Sequence, residues 1–358
     1  MFLRNHFSAL LSAASSLFST PDTGEEKQDF RFALNKTEKK QLRDSKSKPK
    51  VVALYDENDG ASNADRAIQH FENEGIEVVK VPPSEGFNHS FFTKGNNHFN
   101  GIYLPGGSDI PVHDDNDPRS KFEGQLVEKA RSDDIPLLGI CRGEQAIGYH
   151  SGLEVRDLSD YDQHYYHNET AKKNPDLNNT VVVDQGSQLY DALQHEFKSG
   201  KKDKPIEYSV SCLHHQHVPD TSSKKNIGVT ARNKFDGTIE AIEIPTGNYY
   251  TIGLQHHPEV VIDSFESKRN AKIAEAQNEL NESLLEAHFI DPEIHIGMAY
   301  SRAMSKRHAA CKKSKDERAA RAELGLFTSQ VKKQFLEQNE SAKKNDSNQR
   351  QGFLPRFW

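Results

Sequence analysis

The chain has 358 residues, of which 34% are hydrophobic and 28% charged, with a net charge of −7. That length suits one large domain with extensions, or two domains, and the negative balance argues against a general nucleic-acid binder. No run of 18 apolar residues is present to span a bilayer, and three cysteines (Cys141, Cys212, Cys311) are too few for a disulfide framework, so a reducing, cytoplasmic setting is expected.

Residues 1–20 place Phe2, Leu3, Phe7, Leu10, Leu11, Ala14, Leu17 and Phe18 at helical spacing. An amphipathic helix is expected there. It is open to three readings: docking on the protein's own surface, a targeting or membrane-surface helix, or a secretory signal that would export the chain. Residues 21–49 are polar and lysine-rich and read as a linker.

From residue 50 the texture alternates. KVVALYD (50–56), IEVVKVPP (76–83), FNGIYLPGG (99–107) and IPLLGI (135–140) read as short apolar strands. SNADRAIQHFENEG (62–75), PRSKFEGQLVEKARSDD (118–134) and the stretch opening at Arg142 read as helices. Further strands are expected at 180–185, 227–233, 238–245 and 249–255. Short buried strands alternating with helices make a mostly parallel sheet covered on both faces, so 50–262 is expected as one α/β domain.

Beyond it, 263–289 and 298–325 are rich in helix formers. Residues 263–340 therefore read as a helical extension and 341–358 as a flexible tail. Residues 301–350 hold 13 Lys+Arg against 6 Asp+Glu, an excess of +7 that leaves −14 for the rest. The extension either packs back on the domain or offers a basic surface to a protein partner, an acidic surface or a membrane.

The chemistry concentrates at strand ends. In GICRG (139–143) a cysteine stands where an apolar strand turns into a helix, between two near glycines. Such a turn lifts its central residue into an exposed, strained position. A helix N-terminus and Arg142 would favour a thiolate, and the Arg142 N–H would face a developing oxyanion. A base is offered by GLQHHPEV (253–260), where two histidines close another strand and Glu259 follows to orient an imidazole. In LPGGSD (104–109) the backbone of Gly106 and Gly107 can face an anion. Histidines also cluster at 163–167 and 214–217, but adjacent histidines on a strand point to opposite faces, so no metal site is expected.

Together, LPGGSDI (104–110), RSKFEGQLVEKARSDDIPLLGICRGEQAI (119–147), HHQHV (214–218), DGTIEAIEIP (236–245) and GLQHHPEV (253–260) resemble the class I glutamine amidotransferase-like superfamily. The nearer resemblance is to its γ-glutamyl hydrolase branch, of peptidase C26 type. It implies a flavodoxin-like α/β fold with a mostly parallel central sheet. It implies Cys141 as nucleophile, His257 as base and Glu259 as its orienting carboxylate. Gly106, Gly107 and Arg142 would serve the oxyanion or substrate, with His215 and Gln216 beside the pocket. The pattern is departed from at Glu144, Ser211 and His256, and in the stretch 158–179. The implied reaction is hydrolysis of a γ-glutamyl amide with release of glutamate, without metal or organic cofactor. Two other readings stand beside it. One is a glutaminase subunit delivering ammonia to a partner. The other is a partner-binding protein, acting through 263–358, whose α/β domain is a scaffold. A homodimer is left open.

Overall fold

A computed structural model describes residues 31–93, 98–111, 116–158, 179–197, 204–219, 221–286, 301–307, 309–310 and 312–352. The expected N-terminal helix, Cys311, Trp358 and most of the stretch 158–179 lie outside these residues.

The strands are β1 (Lys50–Leu54), β2 (Glu77–Val81), β3 (Gly101–Leu104), β4 (Leu137–Ile140), β5 (Arg156–Asp157), β6 (Asn179–Val183), β7 (Ile206–Val210), β8 (Gln216–His217), β9 (Gly228–Asn233), β10 (Ile239–Pro245) and β11 (Tyr250–Leu254). Nine form one sheet in the order β2-β1-β3-β4-β11-β10-β9-β6-β7, while β5 and β8 pair separately. From β2 to β11 every pairing is parallel. From β11 outward to β7 the pairings are antiparallel. The parallel half matches the near-continuous burial of β1, β3 and β4, as expected for strands covered on both faces. The far half is antiparallel, and it includes β7, a strand absent from the sequence reading whose alternating burial is a half-covered pattern.

Helices close both faces. Those used below are α1 (Lys36–Asp44), α2 (Ala61–Asn73), α3 (Pro118–Ser132), α4 (Arg142–His150), α5 (Gln188–Phe197), α6 (Pro258–Glu286) and α7 (Lys315–Gly352). One face joins Phe122, Leu126, Val127 and Ala130 of α3 with Ala146 and Ile147 of α4. The other face collects α2, α5, the start of α6 and a long stretch of α7. In α2 the buried Ala64, Ala67, Ile68 and Phe71 form one helical stripe.

Three boundaries differ from those expected. Residues 21–49 are not simply a linker: Phe32 is buried in the core, and α1 carries a capping box between Asn35 and Glu38. The tail from 341 is helical as far as Gly352, because nothing in that polar run breaks a helix already formed. The division at 262 is no structural boundary. The helix running through it begins at Pro258, and Ala319, Leu324, Phe327 and Val331 of α7 belong to the same core as the sheet. The Phe327 ring meets Phe71 edge-on at 5.4 Å, and a Cβ on Gly101 of β3 would collide with Val331. The second helical stretch is interrupted before Lys315, where Ser314 Oγ accepts the Glu317 N–H and caps α7.

Part of the basic excess of the C-terminal region is used inside the chain. Lys332 pairs with Glu74, Lys333 with Glu38, Arg318 with Glu196, and Arg321 with Glu266. No helix among the described residues is long and apolar enough to cross a membrane.

Candidate active site

Cys141 follows β4 and precedes α4, with φ 54° and ψ −108°. A side chain in that left-handed region costs on the order of 1–3 kcal/mol, so the surrounding structure must impose it. The flanking glycines show how. A Cβ on Gly139 would stand 2.4 Å from the Gly143 oxygen, and one on Gly143 would stand 2.1 Å from the Leu104 oxygen. Only glycine lets strand, turn and helix approach this closely.

The sheet register sets the partner. β4 and β11 pair Ile140 with Leu254, and the Cys141 N–H continues that ladder to the Leu254 oxygen at 2.7 Å. The two strand ends therefore deliver Cys141 and His257 to the same edge. A methyl on Gly106 would lie 3.2 Å from His257 Cε1 and 3.4 Å from Cys141 Cβ, so the three residues share one wall. His257 is anchored through its N–H to the Ser211 oxygen at 2.8 Å. Its Nδ1 lies 2.7 Å from Glu259 Oε1, in the first turn of α6. Burial works against the imidazolium, but Glu259 and then Cys141 outweigh it and hold His257 well above the ordinary histidine range. The Cys141 Sγ also lies 3.6 Å from the Leu213 oxygen. A cleft of about 450 Å³ opens beside His257, between Arg66 of α2 and Asp263 of α6, with Ser211 and Leu213 on its wall.

The glycine loop after β3 is braced from behind by two arginines. Arg119, which sequence reasoning missed, donates to the oxygens of Pro105 and Gly106, both at 3.0 Å, and pairs with Asp59 at 2.6 Å. Arg142 donates to the oxygens of Ser108 and Asp109 and grips buried Glu123 with two nitrogens. The Arg142 guanidinium is thus held by Glu123 and Asp117, and its side-chain charge is committed there, not to Cys141. Because a trans peptide directs C=O and N–H oppositely, the Gly106 carbonyl on Arg119 turns the Gly107 N–H away from that arginine.

His215 and Gln216 fall differently. The His215 side chain is half-exposed, with Nδ1 3.7 Å from Asp109. The buried Gln216 amide accepts the Ile110 N–H at 2.7 Å and donates to Asp157 at 3.0 Å, so it braces the glycine loop.

A second polar cluster lies behind the first. His256 is fully buried between Glu323 of α7, at 2.7 Å, and Glu240 of β10, at 3.7 Å. The Cys212 thiol lies 3.5 Å from Glu240. The donor atoms of Cys212, His214 and Glu240 all come within 4.8 Å of one another, the one set of metal-capable groups found among the described residues. Within it the Asn233 amide also donates to Glu240, and His214 Nδ1 lies 2.9 Å from the Gln216 oxygen. Cys212 and Glu240 are far apart in the chain, so no local motif announces the pairing.

Residues 53–259 match the peptidase C26 family profile. The chain belongs to the peptidase C26 family. It is thereby a hydrolase of the class I glutamine amidotransferase-like superfamily. A glutamine amidotransferase-like protein of Rickettsia prowazekii is 28% identical over 206 residues, covering 46% of this chain and 72% of that protein. One from Lactococcus lactis is 28% identical over 171 residues, covering 44% of this chain and 65% of that protein. The solved structure of a Thermotoga maritima glutamine amidotransferase has a TM-score of 0.43 at 17% identity, covering 80% of this chain and 98% of that one. The C26 match ends at 259, so α7 lies wholly outside it.

Proposed function

We propose that this C26 protein is a cysteine-dependent hydrolase that cleaves γ-glutamyl amide bonds and releases glutamate. The observation that carries the reading is the strained Cys141 elbow sharing a wall with a His257 imidazole whose Nδ1 is held by Glu259. His257 Nε2 takes the thiol proton. The sulfur attacks the side-chain carbonyl carbon of the γ-glutamyl group, and the carbonyl π electrons move to oxygen. In this reading the Gly107 and Arg142 N–H groups receive that oxyanion. Collapse breaks the C–N bond, and His257 returns its proton to the leaving amine. His257 then deprotonates a water that attacks the thioester, and the glutamate carboxylate departs as the thiol is re-formed. Glu259 keeps Nδ1 protonated throughout and stabilises the imidazolium. The sparse cysteines agree with a reducing, cytoplasmic setting.

The test is glutamate release from a panel of γ-glutamyl compounds, including glutamine, with Cys141→Ala as control. Release from γ-glutamyl amines, lowered by about 10³-fold or more in the variant, supports the reading. Release from glutamine alone favours a glutaminase. No release from any compound, with Cys141 inert to iodoacetamide, refutes it.

A further inference from the structure

His256 and His257 are neighbours in the chain with opposite surroundings. His257 faces Cys141. His256 faces Glu323, which stands on α7, far beyond the last matched residue of the family. Glu323 is itself buried and also accepts the Tyr208 hydroxyl. The groups facing His256 come from several elements: Glu323 from α7, Glu240 from β10, Glu144 from α4, and Tyr208 from β7, whose ring stands nearly edge-on at 6.4 Å. Burial alone would leave this imidazole neutral, but Glu323 and Glu240 outweigh it and hold His256 at about 10. A fixed cation therefore sits one residue from the proposed base.

No step of the hydrolysis uses this cluster. A buried ion pair is also a poor way to gain stability, since well-packed apolar residues often do as well. What a charge-assisted hydrogen bond adds is direction. We propose that Glu323 is a positioning residue of the active site, its ion pair with His256 fixing the strand end on which His257 stands. The proposal rests on the hydrolase reading above.

The surroundings favour transmission. Helix α7 is fixed to the sheet by Asp316, which accepts the Ser209 N–H at 2.8 Å, and by Gln330, which accepts the Tyr250 N–H at 2.8 Å. The chain on either side of His256 is tied as well, through Gln255 N–H to the Glu240 oxygen and His257 N–H to the Ser211 oxygen. Little slack remains between Glu323 and His257. A turn of about 10° at the shared peptide would carry the far imidazole nitrogen about 1 Å, and an error of that size costs on the order of 10²-fold in rate.

The experiment uses the full-length chain with Glu323→Gln, which keeps the shape and removes the charge. Two quantities are read: glutamate release, and the rate of iodoacetamide alkylation at pH 7 measured on the Cys141 peptide. The second needs no knowledge of the substrate. The expected result is a fall in kcat of about tenfold or more, KM within about twofold, and alkylation about fivefold slower, in a protein with native circular dichroism. Glu323→Asp retains the charge but withdraws it by one methylene; it is expected to recover part of the alkylation rate and serves if the Gln variant does not fold. Wild-type kcat and alkylation in folded Glu323→Gln, or in Glu323→Asp where that variant alone folds, overturn the proposal. So does a loss of activity that merely follows the folded fraction, and so does failure of both variants to fold, which would make Glu323 a folding residue. A wild-type chain that releases no glutamate while its Cys141 alkylates in a Glu323-dependent way would refute the hydrolase reading and leave the positioning role standing.

Discussion

Glu144 offers the sharpest quantitative test of the buried electrostatics. It is the third residue of α4, is 0% exposed, and neither of its carboxyl oxygens has a hydrogen-bond partner among the described residues. Burial first, and then the Glu240 carboxylate, push it up from the ordinary 4.5 to about 8, against a smaller opposing pull from His256. Below pH 4.5 the folded and unfolded chains are both protonated at this group, and its contribution to stability is fully present. Between 4.5 and about 8 only the folded chain keeps the proton, so stability falls as pH rises. Above about 8 both forms are ionised and the loss is complete. At 1.36 kcal/mol per unit, that window amounts to at most about 5 kcal/mol. Glu144→Gln imitates the protonated carboxyl at every pH. Urea unfolding at pH 5, 6.5 and 8 should find the variant close to wild type at pH 5 and about 2–4 kcal/mol more stable at pH 8. His256, raised from 6.5 to about 10, imposes its own loss over that higher window, so both proteins should go on weakening above pH 8. Parallel stability curves for the two proteins from pH 5 to 8 would refute a proton held on Glu144.

Other substitutions separate site from scaffold. Gly106→Ala places a methyl against His257 and Cys141, and glutamate release should fall by about 10²-fold with Tm little changed. Glu259→Gln should lower kcat by about 10³-fold with KM within a few fold, because the imidazolium loses its counter-charge. Ending the chain after Ser314 removes the buried Leu324, Leu326, Phe327, Val331, Phe335 and Leu336. At about 2 kcal/mol each these sum to about 12 kcal/mol, as large as the whole stability of a typical domain, so the truncated chain should be insoluble. A soluble, active, cooperatively melting product would show that α7 is dispensable. Phe327→Ala alone should cost about 3–5 kcal/mol in chemical denaturation while leaving the kcat of the folded protein near wild type.

The candidate site's edge was legible because its determinants are local. Gly139, Cys141 and Gly143 lie within five residues, and the close approach of strand to helix admits only glycine on either side of the thiol. His257 and Glu259 are two residues apart, so their hydrogen bond is set by the start of one helix. The Arg119 and Arg142 braces were not legible, because their carbonyl partners are presented only once the loop after β3 folds over α3. Nor was the role of α7. Much of its buried stripe is alanine or is interrupted by polar residues, and its basic surface matches acidic residues as distant as Glu38 and Glu74. Read alone it looks like a free cationic patch. In the fold it is a lid on the sheet, with Arg318, Arg321, Lys332 and Lys333 paired within the chain.

By itself, then, the sequence determined the alternation of strands and helices from β1 to α4, the glycine-framed cysteine and the histidine–carboxylate step, since each follows from backbone geometry over a few residues. Only the tertiary structure decided that the sheet turns antiparallel beyond β11, that the C-terminal helix belongs to the core, and that buried carboxylates from distant elements push both His256 and Glu144 upward. Those outcomes depend on desolvation and on partners brought together from distant parts of the chain, and no local pattern encodes either.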